Sequence, residues 1–182
     1  MHALRRHSDS PPSPISSLEA EVVRRADGGL DARFQLTGPV SALALPERGI
    51  PARRDELWRH TCFEVFLRRP GAKGYLEFNL APSSDWALYA FDGYRSRLPD
   101  PEFRTPRIEA TRSDDRLILK ARIDAPPALP ADQTWLASLT AVVESGDGVL
   151  GYWAVAHAPG RPDFHHADGF AVELPAPHPE RP

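Results

Sequence analysis

Proline and turn residues cut this chain into pieces too short to run as helices, and that constrains the fold more than any other feature of the sequence. Its 20 prolines are about twice the usual share of roughly 5%. Pro11, Pro12, Pro14, Pro175, Pro177, Pro179 and Pro182 crowd the two ends, and the others fall between apolar runs and seldom inside them. Proline has no N–H to give to a ladder, so this spacing marks where strands stop.

The runs between these breaks are short and apolar or alternating: 18–26, 30–36, 58–68, 75–80, 86–91, 107–111, 117–123, 135–144, 150–157 and 170–174. In 30–36, Leu30, Ala32, Phe34 and Leu36 share one parity, and Asp27-Gly28-Gly29 before them is a hairpin signal. Pro70-Gly71, Ser113-Asp114-Asp115, Ser145-Gly146-Asp147-Gly148 and Pro159-Gly160 separate later runs. The helical candidates are weak: 53–59 is too short to stand unaided, and prolines break 125–134. The pattern predicts an all-β domain over 18–174, an antiparallel β-sandwich of immunoglobulin-like or jelly-roll-like kind with about ten strands. Residues 1–17 and 175–182, polar and Pro-rich, read as disordered tails.

With 182 residues, the chain is long enough to bury a core without metal or disulfide. A net charge of -3, with arginines scattered and not striped, gives no footprint for nucleic acid. The lone Cys62 cannot form an internal disulfide. Arg5 and Arg6 are followed by no apolar signal core, and no stretch is apolar enough to cross a bilayer. The expectation is a bacterial-type cytoplasmic protein without a membrane partner.

Residues 58–91 carry the chemistry. Thr61, Phe63, Val65 and Leu67 share one face of a strand, and Trp58, His60, Cys62, Glu64 and Phe66 share the other. In the next strand Leu76, Phe78 and Leu80 oppose Tyr75, Glu77 and Asn79. The short loop at Pro70-Gly71-Ala72-Lys73 makes an antiparallel hairpin. The register that sets Glu64 against Asn79 and Phe66 against Glu77 avoids a direct Glu64–Glu77 opposition. The turn at Pro82-Ser83-Ser84-Asp85 closes a second hairpin in which Trp86, opposite Ala81, joins the mixed face, and Ala87, Tyr89 and Phe91 join the greasy one.

Trp58, His60, Glu64, Tyr75, Glu77, Asn79 and Trp86 would then share a face, with two indoles to stack on a ring and carboxyl and amide groups to hold hydroxyls or amines. A covering loop would instead make the same face a second minor core, and a protein partner would make it an interface. Asp163, His165 and His166 are the best metal-like cluster, although adjacent histidines on an extended chain point apart, and a capped loop is the plainer account. Glu64 and Glu77 would lie roughly 7–8 Å apart by backbone, within reach of a glycosidase pair. Cys62 with His60 is nominally a thiolate arrangement. The arginine-rich loop 95–107, with Asp100 and Glu102, reads as a solvated face, and no nucleophile elbow, phosphate loop or dinucleotide fingerprint is present.

The string from Leu57 to Phe66 resembles the DOMON-like superfamily, as do Tyr75-Leu76-Glu77-Phe78-Asn79-Leu80-Ala81-Pro82-Ser83, Trp86-Ala87-Leu88-Tyr89 and Phe91-Asp92-Gly93-Tyr94-Arg95. Tyr152-Trp153-Ala154 and Pro162-Asp163-Phe164-His165-His166 look like its later segments. More distantly the chain is similar to the family 9 carbohydrate-binding modules. The resemblance implies a sandwich that binds a sugar or a haem through one sheet. Glu64 matches the acid of a Glu-hydrophobic-Phe strand, Glu77 and Asn79 match polar positions of the next, and Trp58 and Trp86 carry over as stacking rings. Haem binders of this kind often use a methionine and a histidine. Here the only methionine is Met1, so two of His60, His157, His165 and His166 would have to serve. The expected function is a non-catalytic module for a carbohydrate or similar polar small molecule. The alternatives are a haem carrier or sensor, a glycoside-active enzyme using the two glutamates, or a protein-interaction domain.

Overall fold

The computed structural model describes residues 1–126 and 129–177. One sheet orders β2 (Ser17–Arg24), β3 (Leu30–Thr37), β9 (Arg116–Ile123) and β8 (Arg107–Arg112) side by side. The other orders β7 (Ser96–Arg97), β6 (Trp86–Gly93), β5 (Tyr75–Leu80), β4 (Cys62–Arg68), β10 (Trp135–Glu144) and β11 (Leu150–Ala154), with β12 (Val172–Leu174) on the first residues of β10. All pairings between these strands are antiparallel, and three 3-10 turns are the only helical elements among the described residues. None of these is long and apolar enough to cross a membrane.

Alternation places the core between the sheets. From the first sheet come Leu18, Ala20, Phe34, Leu36, Leu117 and Leu119; from the second come Phe63, Val65, Leu67, Phe78, Leu80, Leu139 and Ala141, all buried. The rings of Phe34 and Phe63 meet across the layers with centroids 5.1 Å apart. β4 and β5 are buried on both faces, so their second faces are also covered.

Among the described residues twelve strands form where about ten were expected, and the largest correction is at the N-terminus. Residues 2–6 are not part of a disordered tail: β1 (His2–Arg6) pairs with β2 through His2, Ala3 and Leu4, and with β11 through Arg5 and Arg6. It therefore joins the two sheets at their edges. In HALRR only Leu4 turns inward, so the strand leaves almost no apolar periodicity to read. The segment 53–59 forms a single 3-10 turn over Leu57–Arg59, as its length allows. Residues 127–128 of the candidate 125–134, and 178–182 of the expected C-terminal tail, lie outside the described residues.

The first hairpin has the expected register, with Glu64 opposite Asn79 and Phe66 opposite Glu77. The second is one residue off: Trp86 pairs with Leu80, not Ala81. Ala81 stays in the reversal, where its N–H bonds Asp85 O and its carbonyl accepts from Ser84 N–H, with Ser84 at a left-handed φ of 78°. Trp86 is further held from outside by backbone bonds with Ala52 and Arg54. A one-residue slip inverts every side chain of a strand. Trp86 and Leu88 consequently enter the core, and Ala87, Tyr89 and Phe91 take the mixed face.

Leu4→Ala should cost about 2–3 kcal/mol of stability in chemical denaturation, because Leu4 is buried where the sheets join. Ala3→Ser, at an exposed position of the same strand, should stay within ~0.5 kcal/mol of the parent. Equal, negligible effects would return this segment to the status of a tail.

Candidate functional site

The mixed face of β4, β5 and β10 is part core and part cleft. Phe66, Tyr75, Tyr89, Phe91 and Phe170 pack into a second apolar cluster, with Tyr75 stacked on Phe91 at 4.6 Å between centroids. Beside it opens a cleft of about 430 Å³. Its floor is Glu64, Glu77, Phe66 and Tyr89; Asp55, Glu56 and Trp58 line it on one side, and Tyr152, Pro162, Phe164 and His165 come from segments beyond β10.

The floor is built by strand register. Thr140, Glu64, Asn79 and Ala87 lie in one row across β10, β4, β5 and β6. Within it, Thr140 Oγ1 donates to Glu64 Oε2 at 2.7 Å, and Asn79 Nδ2 donates along its own strand to Glu77 Oε1 at 2.6 Å. Glu64 is 2% exposed and Glu77 4%. The second oxygen of each carboxyl receives no hydrogen bond among the described residues. Burial, and then the nearby Glu77, pushes Glu64 up to about 8. Burial raises Glu77 to about 7 against the opposing pull of Asn79, Arg95 and Arg97. Both acids therefore keep their protons to higher pH than ordinary glutamates, Glu64 more firmly than Glu77.

His165 closes the site beside Glu77. Arg95 N–H donates to Tyr75 Oη at 3.1 Å, and Tyr75 Oη lies 2.8 Å from His165 Nδ1. With the phenol proton directed to Nδ1, the imidazole proton sits on Nε2, which lies 3.9 Å from Glu77 Oε2, too far for a hydrogen bond. Burial, then Arg95, depresses His165 to about 4 against the pull of Asp163, so the ring is neutral. Asp163 ties the rim together, accepting from Tyr94 Oη, from the Arg95 guanidinium and from His165 N–H. Burial works against it, yet those bonds hold its carboxyl below the usual range.

Of the residues read from the sequence, the structure brings Trp58, Glu64, Tyr75, Glu77 and Asn79 to this region, with Tyr75 and Asn79 supporting the groups that line the cleft. Trp86 is not among them: it is 4% exposed, with its indole in the main core. His60 also departs, because the chain leaves the strand before Cys62. Its ring is exposed and bonds Glu144 Oε2 at 2.8 Å outside the cleft. That separates it from Cys62, a buried thiol that burial, then Glu64, raises well above its ordinary range, so the pair is no thiolate site.

The metal-like cluster splits. Asp163 serves the rim, His165 faces Glu77, and His166 Nδ1 accepts from Asp168 N–H as a turn cap. No group of three or more ligand-type side chains gathers for a metal among the described residues. Of the four histidines considered for haem, only His165 lines the cleft; His157 bonds Arg5 O and packs edge-on against His7.

Sequence reasoning missed Tyr89, Arg95, Arg97, Thr140, Tyr152 and Phe164. The first follows from the hairpin slip. Arg95 and Arg97 line the cleft instead of a purely solvated face, with Arg97 lying 4.3 Å over the Tyr89 ring. Thr140 has the outward parity of its strand, a signal readable only once β10 is known to lie beside β4.

No protein-family model and no curated protein sequence matches this chain. Solved structures share its fold. A candidate carbohydrate-binding protein from Bacteroides uniformis ATCC 8492 superposes with TM-score 0.67 at 15% identity, over 95% of this chain and 83% of that one. A family 9 carbohydrate-binding module from Caldicellulosiruptor kristjanssonii in complex with glucose gives 0.60 at 9% identity, covering 94% and 83%. A cellotriose complex from the same organism and family gives 0.59 at 10% identity, covering 100% and 89%.

Because Glu64 and Glu77 bind protons more tightly folded than unfolded, the native state holds the excess protons between the ordinary glutamate value and about 8. Stability therefore falls as pH rises through that window and levels off above it. The melting temperature should drop by at least about 4 °C from pH 5 to pH 8.5, and the Glu64→Gln/Glu77→Gln double variant should lose most of that slope. A melting temperature that rises with pH would contradict the assignment.

Proposed function

We propose that this chain is a non-catalytic module that binds a carbohydrate in the cleft over β4, β5 and β10. The observation that carries the reading is the pairing of two buried carboxyls, each with one oxygen held by the protein and one left for a guest, with aromatic rings around them. Trp58 is 44% exposed at the cleft, and Phe164 is braced edge-on by Tyr152 at 6.0 Å. Such faces suit the C–H surface of a sugar ring, while the acids and the His165 N–H suit its hydroxyls.

The fold neighbours support this, since two of them are carbohydrate-binding modules with glucose or cellotriose bound. The DOMON-like resemblance rests on the residue string alone. The state of the glutamates favours binding over hydrolysis. A glycosidase keeps one carboxyl ionised and one protonated by pushing their environments apart, whereas here burial raises both. The haem alternative gains no support from one cleft histidine.

Tryptophan fluorescence titration with glucose, cellobiose and cellotriose tests the proposal. A saturable change is expected, and Trp58→Ala should weaken binding on the order of tenfold, or about 1.4 kcal/mol. Trp86→Ala should instead lower stability by about 3–5 kcal/mol. Silence toward a broad panel of mono- and disaccharides would remove the carbohydrate reading.

A further inference from the structure

The charges around the cleft do not balance. Arg95 is bound to Asp163 at 3.0 Å, and Arg97 to Asp100 at 2.8 Å with Asp55 at 3.6 Å. Each rim cation thus has its own carboxylate, and no Lys or Arg reaches Glu64 or Glu77 within ion-pair distance among the described residues. The one basic ring beside them, His165, is neutral, and the other acids of the lining already have cations, Asp55 with Arg53 at 3.2 Å and Glu56 with Arg59 at 2.9 Å, so the buried pair alone lacks one. Thr140 and Asn79, the groups that hydrogen-bond the pair, each satisfy a single oxygen, while Tyr75, Tyr89 and Cys62 nearby are neutral and bring no positive charge.

A buried carboxylate needs a cation or a proton. A neutral sugar hydroxyl supplies neither, so the pair would stay protonated when it bound. An ammonium group supplies the missing charge together with three N–H donors. Two carboxyls alone are too few for calcium, which takes six to eight oxygens. Resting on the carbohydrate reading, we propose that the sugar taken by this cleft is an amino sugar, its protonated amine seated between the free oxygens of Glu64 and Glu77 and its ring against Trp58.

Binding then exchanges a proton for a cation. As the ammonium docks, a proton leaves the carboxyl pair to buffer, and no covalent bond changes. Isothermal titration of the full chain with D-glucosamine, D-glucose and N-acetyl-D-glucosamine at pH 7 decides the matter. Glucosamine should bind at least about tenfold more tightly than either neutral sugar. Its heat should vary with the ionisation enthalpy of the buffer, reporting a net release of protons. Glu77→Gln should bring glucosamine and glucose to within about twofold of each other. Glu64→Gln should do the same, and near-UV circular dichroism checks that each variant is folded. Glucose bound as tightly as glucosamine, or no buffer dependence, overturns the amine and leaves the carbohydrate reading standing. Failure of all three sugars, and of the neutral panel above, overturns both.

Discussion

The double burial of β4 is the constraint on which the rest of this structure depends. One face of the strand, Phe63, Val65 and Leu67, fills the space between the sheets; the other, Cys62, Glu64 and Phe66, lies beneath the cleft and its aromatic cluster. A strand exposed on one side tolerates local adjustment, but one enclosed on both does not, because any slip of register carries apolar groups out and acids in. Seven paired residues with β10 and five with β5 hold that register. The position of each glutamate is therefore set by strands anchored in the main core.

This explains how much of the fold was legible. Period-two patterning and turn residues sufficed for the all-β class, and repulsion between Glu64 and Glu77 sufficed for the first hairpin, because those signals act between neighbours in the chain. The second hairpin depended on Ser84 adopting a left-handed conformation and on the 52–54 segment docking beside Trp86. Neither is visible in a local pattern, and the slip moved Trp86 to the core and Tyr89 to the site. β1 escaped because its evidence is pairing at both edges around a single inward leucine.

The site was legible in its floor and opaque in its rim for the same reason. Glu64, Glu77 and Asn79 lie on strands whose alternation announces their side. His60 shares that parity in the sequence but precedes the strand, so extending the alternation past Cys62 misplaced it. Arg95, Asp163, Phe164 and His165 are gathered from loops by hydrogen bonds such as Tyr94 to Asp163 and Tyr75 to His165. Loop residues brought together across some 70 positions of sequence leave no periodic trace.

Two covering segments give the face its mixed character. One, through Asp55 and Glu56, is fastened to the floor by Tyr89, whose hydroxyl donates to Asp55 at 3.0 Å and accepts from Glu56 N–H at 3.3 Å. The other, through Asp163 and His165, is fastened by Tyr94, Arg95 and Tyr75. Had the aromatic cluster extended across the whole face, the carboxyls would be sealed in and useless; had it been absent, water would solvate them and return them to ordinary acids. The cluster instead stops beside them. The acids are thus dehydrated enough to hold protons beyond the ordinary glutamate range yet still line an open cleft, and the proposed selectivity for a guest depends on that intermediate state.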